Sequence, residues 1–368
     1  MATSRHDNIL EWLTLQLVPG LGRVGCKNLI VRFGSAESVF RAGPGELAGV
    51  EGVREDVAAK ILRKKSTANA ERILRAVERT GARIIRLTDP EYPSSLREIH
   101  DPPLLLYARG REIPPTLPFI AVVGSRNPTS YGTRAAEVIG KGLAVRGVGI
   151  VSGMATGIDS AAHWGSMEQN GFPLAVLGTG IDVIYPESNK KLHEKLIEKG
   201  AVVSEFVPGT PPEPWNFPSR NRIISGISRA VVVVEATMKS GSLITASLAL
   251  EQGREVFAVP GSIDSFKSTG CHFLIKQGAR LVENADDILE EMSIGKPRDV
   301  GKGKPQGIPF PPLEESEKAI YDMLSNYPLH IDVIVRQGKL PAGEVSSILM
   351  KMELRGLIRQ LPGKMFIR

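Results

Sequence analysis

GVGIVSGMATGIDSAAHWGSMEQNGFPLAVLG, residues 147–178, reads as strand, glycine-bearing turn, helix and strand in one pass. Its apolar runs, GVGIVSG and PLAVLG, are continuous rather than alternating, the pattern of strands covered on both faces. The same unit repeats on either side. FIAVVG (119–124), AVVSEF (201–206), AVVVVEA (230–236), EVFAVPG (255–261) and ARLVEN (279–284) supply further strands. Helical stretches at 133–146, 160–170, 189–199 and 242–252 separate most of them. Residues 119–292 therefore form an α/β domain with a doubly wound, Rossmann-like parallel sheet, and its ligands belong at the carboxyl ends of the strands.

Around this core the 368 residues divide by composition. Residues 1–80 read as short helices with glycine turns. Within them VPGLGRVGCKNLI (18–30) aligns with VEGVREDVAAKIL (50–62), a weak repeat resembling the helix-hairpin-helix (SAM-like) pattern. Such a turn offers backbone N–H groups to a phosphate, and equally serves a plain helical bundle. Residues 81–118 are rich in proline and read as a connector with one or two short extended pieces. Residues 293–312, with their Gly, Pro and Lys, read as a flexible linker. Residues 313–368 give three helices and a two-stranded hairpin around Pro362–Gly363, a winged helix. The expected recognition helix, Ala342 to Leu354, carries Glu344, Lys351 and Glu353 and is not distinctly basic.

The formal net charge is +6, from 46 Lys and Arg against 40 Asp and Glu. The excess is not in the α/β domain, where 16 basic residues face 18 acidic ones, so any polyanion site there must be a local cluster. Two cysteines far apart exclude a disulfide scaffold or a structural zinc site and suit a reducing cytosol. With no apolar run approaching 18 residues and no leader-like start, a soluble cytoplasmic chain without a membrane span is expected.

The loops after the strands carry the chemistry. In VVGSRNPTSYG, Gly124 and Ser125 precede Arg126, which occupies the position where a dinucleotide fingerprint needs its second glycine. A guanidinium there excludes a cofactor pyrophosphate and offers a fork to another phosphate, or pairs with a carboxylate. In SGMATGIDSAAHWG, Asp159 and His163 stand at i, i+4; capping and helix packing account for them better than an acid–base pair. In LGTGIDVIYPESNKKL, Asn189 is placed to cap a helix opening with Lys190. PWNFPSRNRIISG is read as a loop bearing Trp215, Phe217, Arg220, Asn221 and Arg222, rings for stacked bases beside guanidiniums for phosphates. Trp215 and Phe217 serve equally as core. In TMKSGSLITASLALEQG, Lys239, Ser240, Gly241 and Ser242 form an anion cradle at a helix start, with Thr245 one turn inside. No P-loop occurs. The expectation is that Arg126, Lys190, Arg220, Arg222 and Lys239 converge on the strand ends to hold an unpaired polynucleotide.

GSR (124–126), SGMATGID (152–159), GTGIDVIYP (178–186), FPSRNRIISG (217–226), SGSLITA (240–246) and AVPGS (258–262) closely resemble, in order and spacing, the bacterial DNA-processing protein A family in its long, three-domain form. The leading reading is a non-enzymatic mediator of that kind, with no cofactor expected because the dinucleotide and P-loop motifs are missing. Such a protein is implied by the resemblance to bind and protect incoming single-stranded DNA in natural transformation and to help load a RecA-type strand-exchange recombinase. The resemblance also implies a homodimer built from the α/β domain. By resemblance the DNA-contacting set is Arg126, Phe217, Arg220, Arg222, Lys239 and the Ser240–Thr245 turn; Lys190 rests on local charge alone. Two rivals stand beside this reading. One is a nucleoside-monophosphate phosphoribohydrolase using Glu235, although SGSLIT replaces that family's PGGxGT turn. The other is a duplex-DNA regulator acting through the winged helix.

Overall fold

The computed structural model describes residues 3–63, 67–292, 313–325, 327–338, 340–355 and 357–368; the proposed linker, 293–312, lies outside them. The chain forms two compact units, a large one through residue 292 and a small one from 313 onward. The large unit opens with α1 (Thr3–Gln16), α2 (Arg23–Phe33), α3 (Ala36–Arg41), α4 (Pro44–Ala48), α5 (Glu55–Leu62) and α6 (Ala68–Arg79). Helix α6 is amphipathic by spacing, burying Ala70, Ile73 and Val77 while its charged residues face outward. The internal repeat is a structural one. Gly20 and Gly52 both take left-handed backbone, with φ of 86° and 82°, a region glycine enters without a Cβ clash. Leu21 N–H donates to Val18 O and Val53 N–H to Val50 O, at 3.2 and 3.0 Å, closing the same turn twice. The turns pack against each other: a Cβ at Gly25 would stand 2.8 Å from Gly52 O.

The proline-rich segment is more than a connector. It supplies β1 (Arg83–Arg86), α7 (Ser94–Glu98) and β2 (Leu105–Gly110), and β2 pairs antiparallel with both β1 and β6 (Ala201–Ser204). Prolines fall between these strands, where no ladder donor is lost. The remaining elements alternate: β3 (Phe119–Gly124), α8 (Ser130–Val145), β4 (Gly149–Ser152), α9 (Ile158–Glu168), β5 (Pro173–Val176), α10 (Lys190–Lys199), β6, α11 (Asn216–Ile227), β7 (Ala230–Val234), α12 (Gly241–Glu251), β8 (Glu255–Ala258), α13 (Thr269–Lys276), β9 (Arg280–Leu281) and α14 (Ala285–Glu291). The sheet runs β1-β2-β6-β5-β4-β3-β7-β8-β9, parallel from β6 to β9. Strands β4 to β7 are buried throughout, as their unbroken valine and isoleucine content requires. Strand order reverses between β3 and β7, which opens a crevice at their carboxyl ends.

The small unit holds α15 (Glu315–Met323), β10 (Leu329–His330), α16 (Ile331–Gly338), α17 (Ala342–Leu354), β11 (Arg359–Leu361) and β12 (Met365–Ile367). Ile320, Ile334, Val345, Leu349, Met352 and Phe366 share its core. The two-residue β10 pairs with β12 and adds a third strand, too short to leave a period in the sequence.

An ion-pair network fastens the helical region to the sheet. Arg222 of α11 donates Nε–H to Asp101 at 2.9 Å and Nη2–H to Glu205 at 2.7 Å. Arg23 of α2 grips Glu205 with two bonds of 3.1 Å. The side chains of Arg222 and Glu205 are 6% and 7% exposed, so removing one partner strands a buried charge. Arg222→Ala is expected to lower unfolding free energy by about 3–5 kcal/mol, read from urea denaturation; a loss under about 1 kcal/mol would show the network to be surface-like.

Candidate nucleic-acid interface

At the β3/β7 switch point lies a cleft of about 520 Å³. One wall is the turn after β3, where Gly124, Ser125 and Arg126 follow each other and Ser125 Oγ accepts the Asn127 N–H at 3.2 Å. The facing wall is the start of α12. Ser240 is its N-cap, its Oγ accepting Ser242 N–H at 3.4 Å and lying 2.7 Å from Ser242 Oγ. Gly241 and Thr245 complete that wall, with Thr245 buried. An eleven-residue helix pointing its positive end into a crevice favours a bound anion.

The third wall is α11, and here the sequence reading needs correction. PWNFPSRNRIISG is a helix from Asn216, not a loop; Pro218 sits in its first turn, where no intrahelical donor is lost. Residues two apart on a helix lie on different sides. Arg220 and Asn221 therefore line the cleft while Arg222 turns to the opposite side, locked against Asp101 and Glu205. Lys190 and Lys239 are also outside the cleft lining; both are exposed, one opening α10 and the other in the turn before α12. Of the five expected cations, Arg126 and Arg220 meet.

Those two differ in kind. Arg220 is buried, donating from Nη1 to the carbonyls of Gly153, at 2.9 Å, and of Val176. It needs a residue without Cβ at 153, since a Cβ there would stand 2.5 Å from its Nη2. Burial, with Arg126 nearby, moves its pKa down to about 10 against the pull of Asp159, so it stays charged at neutral pH. Arg126 is exposed, and no ion pair holds it among the described residues. Its guanidinium carbon lies 5.6 Å from the centroid of the Phe217 ring, a cation–π contact that aims it without neutralising it. Phe217 in turn packs at 5.4 Å on Tyr185, which is 41% exposed. Tyr185 lines both the cleft and an adjoining hollow of about 70 Å³. The sequence reading left Tyr185 unassigned; its signal was an aromatic residue in a strand-end loop. Trp215 is 69% exposed, so it is not a core residue.

Asp159 and His163 do not form an acid–base pair. Asp159 accepts the N–H groups of Gly153 and Ala155 at 3.0 and 3.3 Å and so ties the turn before α9. Burial raises its pKa, against the Arg220 charge. His163 is fully buried and its ring nitrogens have no partner. Asn189 does not cap α10; its Nδ2 donates instead to Met154 O and Ser160 Oγ, at 2.9 and 3.0 Å. Glu235, the acid of the hydrolase rival, lies outside the cleft lining, buried against Gly132 of α8.

The result is a Rossmann-fold protein whose switch-point crevice suits a phosphate-bearing ligand, through guanidinium, aromatic ring and helix start, in place of a glycine-rich dinucleotide turn. The chain belongs to the DNA-processing protein A family: the family model of DNA recombination-mediator protein A matches residues 83–293, and that of the DprA winged helix domain residues 305–364. It is 36% identical to protein Smf of Synechocystis over 97% of this chain and 98% of that one. It is 47% identical to DNA processing protein DprA of Streptococcus pneumoniae over 56% of this chain and 72% of that one. The X-ray structure of the S. pneumoniae protein superposes with a TM-score of 0.66 at 38% identity, over 76% of this chain and 95% of that one. A Helicobacter pylori DNA processing protein A, whose structure was described for its single-stranded DNA binding mode, superposes at 0.51 with 27% identity, over 57% and 96%. No helix among the described residues is long and apolar enough to cross a membrane.

Burial moves the His163 pKa down to about 3, with the Arg220 charge adding to the effect. An unfolded histidine titrates near ~6.5, so the unfolded chain binds the proton first and stability falls as pH drops from there toward the folded value. Relative to His163→Leu, the parent is expected to lose about 2 kcal/mol more between pH 7 and pH 5, measured by urea unfolding at each pH. Parallel losses in both proteins would show that His163 is not held neutral.

Proposed function

We propose that the chain binds single-stranded DNA along the β3/β7 crevice as a non-enzymatic recombination mediator. The observation that carries this reading is the exposed Arg126 laid over the Phe217–Tyr185 ring pair, facing the start of α12. A backbone phosphate is taken by Arg126 and the α12 N–H groups, with Arg220 supplying charge from the floor. Unpaired bases stack on the rings, which a duplex would not offer. Such contacts to phosphate and π-face carry little sequence preference. The absence of a catalytic step is supported by the arrangement of Asp159, His163 and Glu235, each committed to turn or core.

A homodimer through the α/β unit and a RecA-type recombinase as partner complete the proposal. Supporting it, Met238, Ile263, Phe266 and Phe273 are 53%, 88%, 70% and 42% exposed in the β7, β8 and α13 region, more apolar surface than a solvated rim needs. In the small unit the exposed side of α17 carries Glu344, Ser347, Met350, Lys351 and Leu354, which does not favour the duplex-reading rival.

In competition between oligodeoxythymidylate and duplex of equal length, the single strand is expected to win at every salt concentration. Arg126→Ala is expected to weaken single-strand binding roughly tenfold and to flatten the slope of log affinity against log salt by about 0.7. Phe217→Ala is expected to cost about 1–3 kcal/mol of binding with the slope retained. Duplex preference, or unchanged affinity in both folded variants, would remove the cleft from consideration.

A further inference from the structure

Of the three tryptophans, Trp12 is 1% exposed, Trp164 37% and Trp215 69%. Among the described residues the Trp215 ring packs on no other ring and carries no cation, and its Nε1–H meets no acceptor. Its mount is nevertheless rigid. Pro211, Pro212 and Pro214 fix three φ angles just ahead of it. Asn216, 5% exposed, donates its N–H to Glu213 O at 3.0 Å and its Nδ2 to Pro211 O at 3.4 Å. Ser219 N–H closes the first turn of α11 on Trp215 O at 3.4 Å, so helical spacing holds from Trp215 onward. A large open ring on a fixed backbone binds with little loss of conformational entropy, which is why tryptophan concentrates at binding faces.

Position ties this ring to the crevice. Its chain neighbours Pro214, Phe217 and Pro218 all line the crevice, and Trp215 does not. Trp215 shares its helix face with Ser219 and Arg222, at i+4 and i+7, and Ser219 Oγ accepts from Arg23 of α2 at 2.9 Å. The indole therefore stands at the rim, on the side of α11 toward α2, while the Phe217–Tyr185 pair belongs to the crevice wall. Side chains two apart on a helix do not face each other, so a strand that reaches both aromatic sites has to cross the first turn of α11, where Pro218 is exposed. Resting on the single-stranded DNA reading of the crevice, we propose that Trp215 is a second stacking platform, on which a strand leaving the crevice over Pro218 lays a further unpaired base. The added contact is a base face on an indole and takes no phosphate.

The test follows tryptophan emission of the full-length protein during titration with a short and a long oligodeoxythymidylate, of about four and about twelve nucleotides, within the range of single-strand site sizes. The long oligomer is expected to quench the emission saturably; Trp215→Leu removes most of that quenching and Trp164→Phe keeps it. By fluorescence anisotropy of labelled oligomer, Trp215→Ala is expected to weaken the long oligomer roughly tenfold with the salt slope retained. The short oligomer is unaffected, and Trp215→Phe recovers most of the loss. Suppose Arg126→Ala weakens the long oligomer, yet the parent's emission does not move and Trp215→Ala binds like the parent. The platform is then wrong and the crevice stands. If Arg126→Ala is without effect as well, both fall. Equal losses for the two oligomers would put the indole inside the crevice and overturn the extension. Unquenched emission with altered sedimentation of Trp215→Ala would assign the ring to a protein contact instead.

Discussion

Helix α11 drives two arginines into opposite sides of the molecule, and much of the structure hangs on what each finds there. Arg220 reaches the carbonyls that end β4 and β5, so the floor of the crevice is stitched by a charge that cannot leave. Arg222 reaches Asp101 and Glu205 and, through Glu205, Arg23 of the helical region. One helical turn thus couples the crevice to the seam that holds the sheet and the N-terminal helices as one unit. Both guanidiniums are buried, and both persist because carbonyl or carboxylate oxygens surround them.

This division changes how the crevice works. A row of convergent cations would bind any polyanion, duplex included. The structure has instead one exposed guanidinium on an aromatic pair, one buried guanidinium below it, and a helix start opposite. Arg126 keeps its charge available because a ring, which neither neutralises nor desolvates it fully, sets its position. On the proposed reading, a flexible strand turns its bases toward the rings while its phosphates follow the backbone amides. The exposed Lys190 and Lys239 lie outside the cleft lining, where their attraction for a polyanion is of a kind that salt screens.

The same physics limits the chemistry. Asp159 spends its carboxylate on two backbone N–H groups and His163 sits in a dry site that denies it a proton, so the pair that looks catalytic in sequence is architectural. Glu235 lies against the first turns of α8, the helix that in dinucleotide-binding domains faces the pyrophosphate. A carboxylate stands beside that helix start, and Arg126 stands in the turn where a dinucleotide fingerprint has glycine.

The succession of strands and helices along the chain, the doubly wound sheet, the winged helix and the strand-end turns were legible because burial on both faces writes itself as unbroken valine and isoleucine runs, and because Gly, Ser and Pro punctuate them. The paired glycine turns at Gly20 and Gly52 were legible for the same reason, as left-handed backbone selects glycine wherever it recurs. The proline-rich strands β1 and β2 were half legible: extended pieces could be read, but pairing with β6, a hundred residues on, is a property of the assembled sheet. Helix α11 was misread, because Pro218 and two serines resemble loop chemistry. With that misreading went Arg222, whose direction depends on a 3.6-residue turn and on acids contributed by distant segments. Residue type named the groups able to hold a phosphate. Only tertiary packing decided which of them are still unoccupied by the protein's own carbonyls and carboxylates.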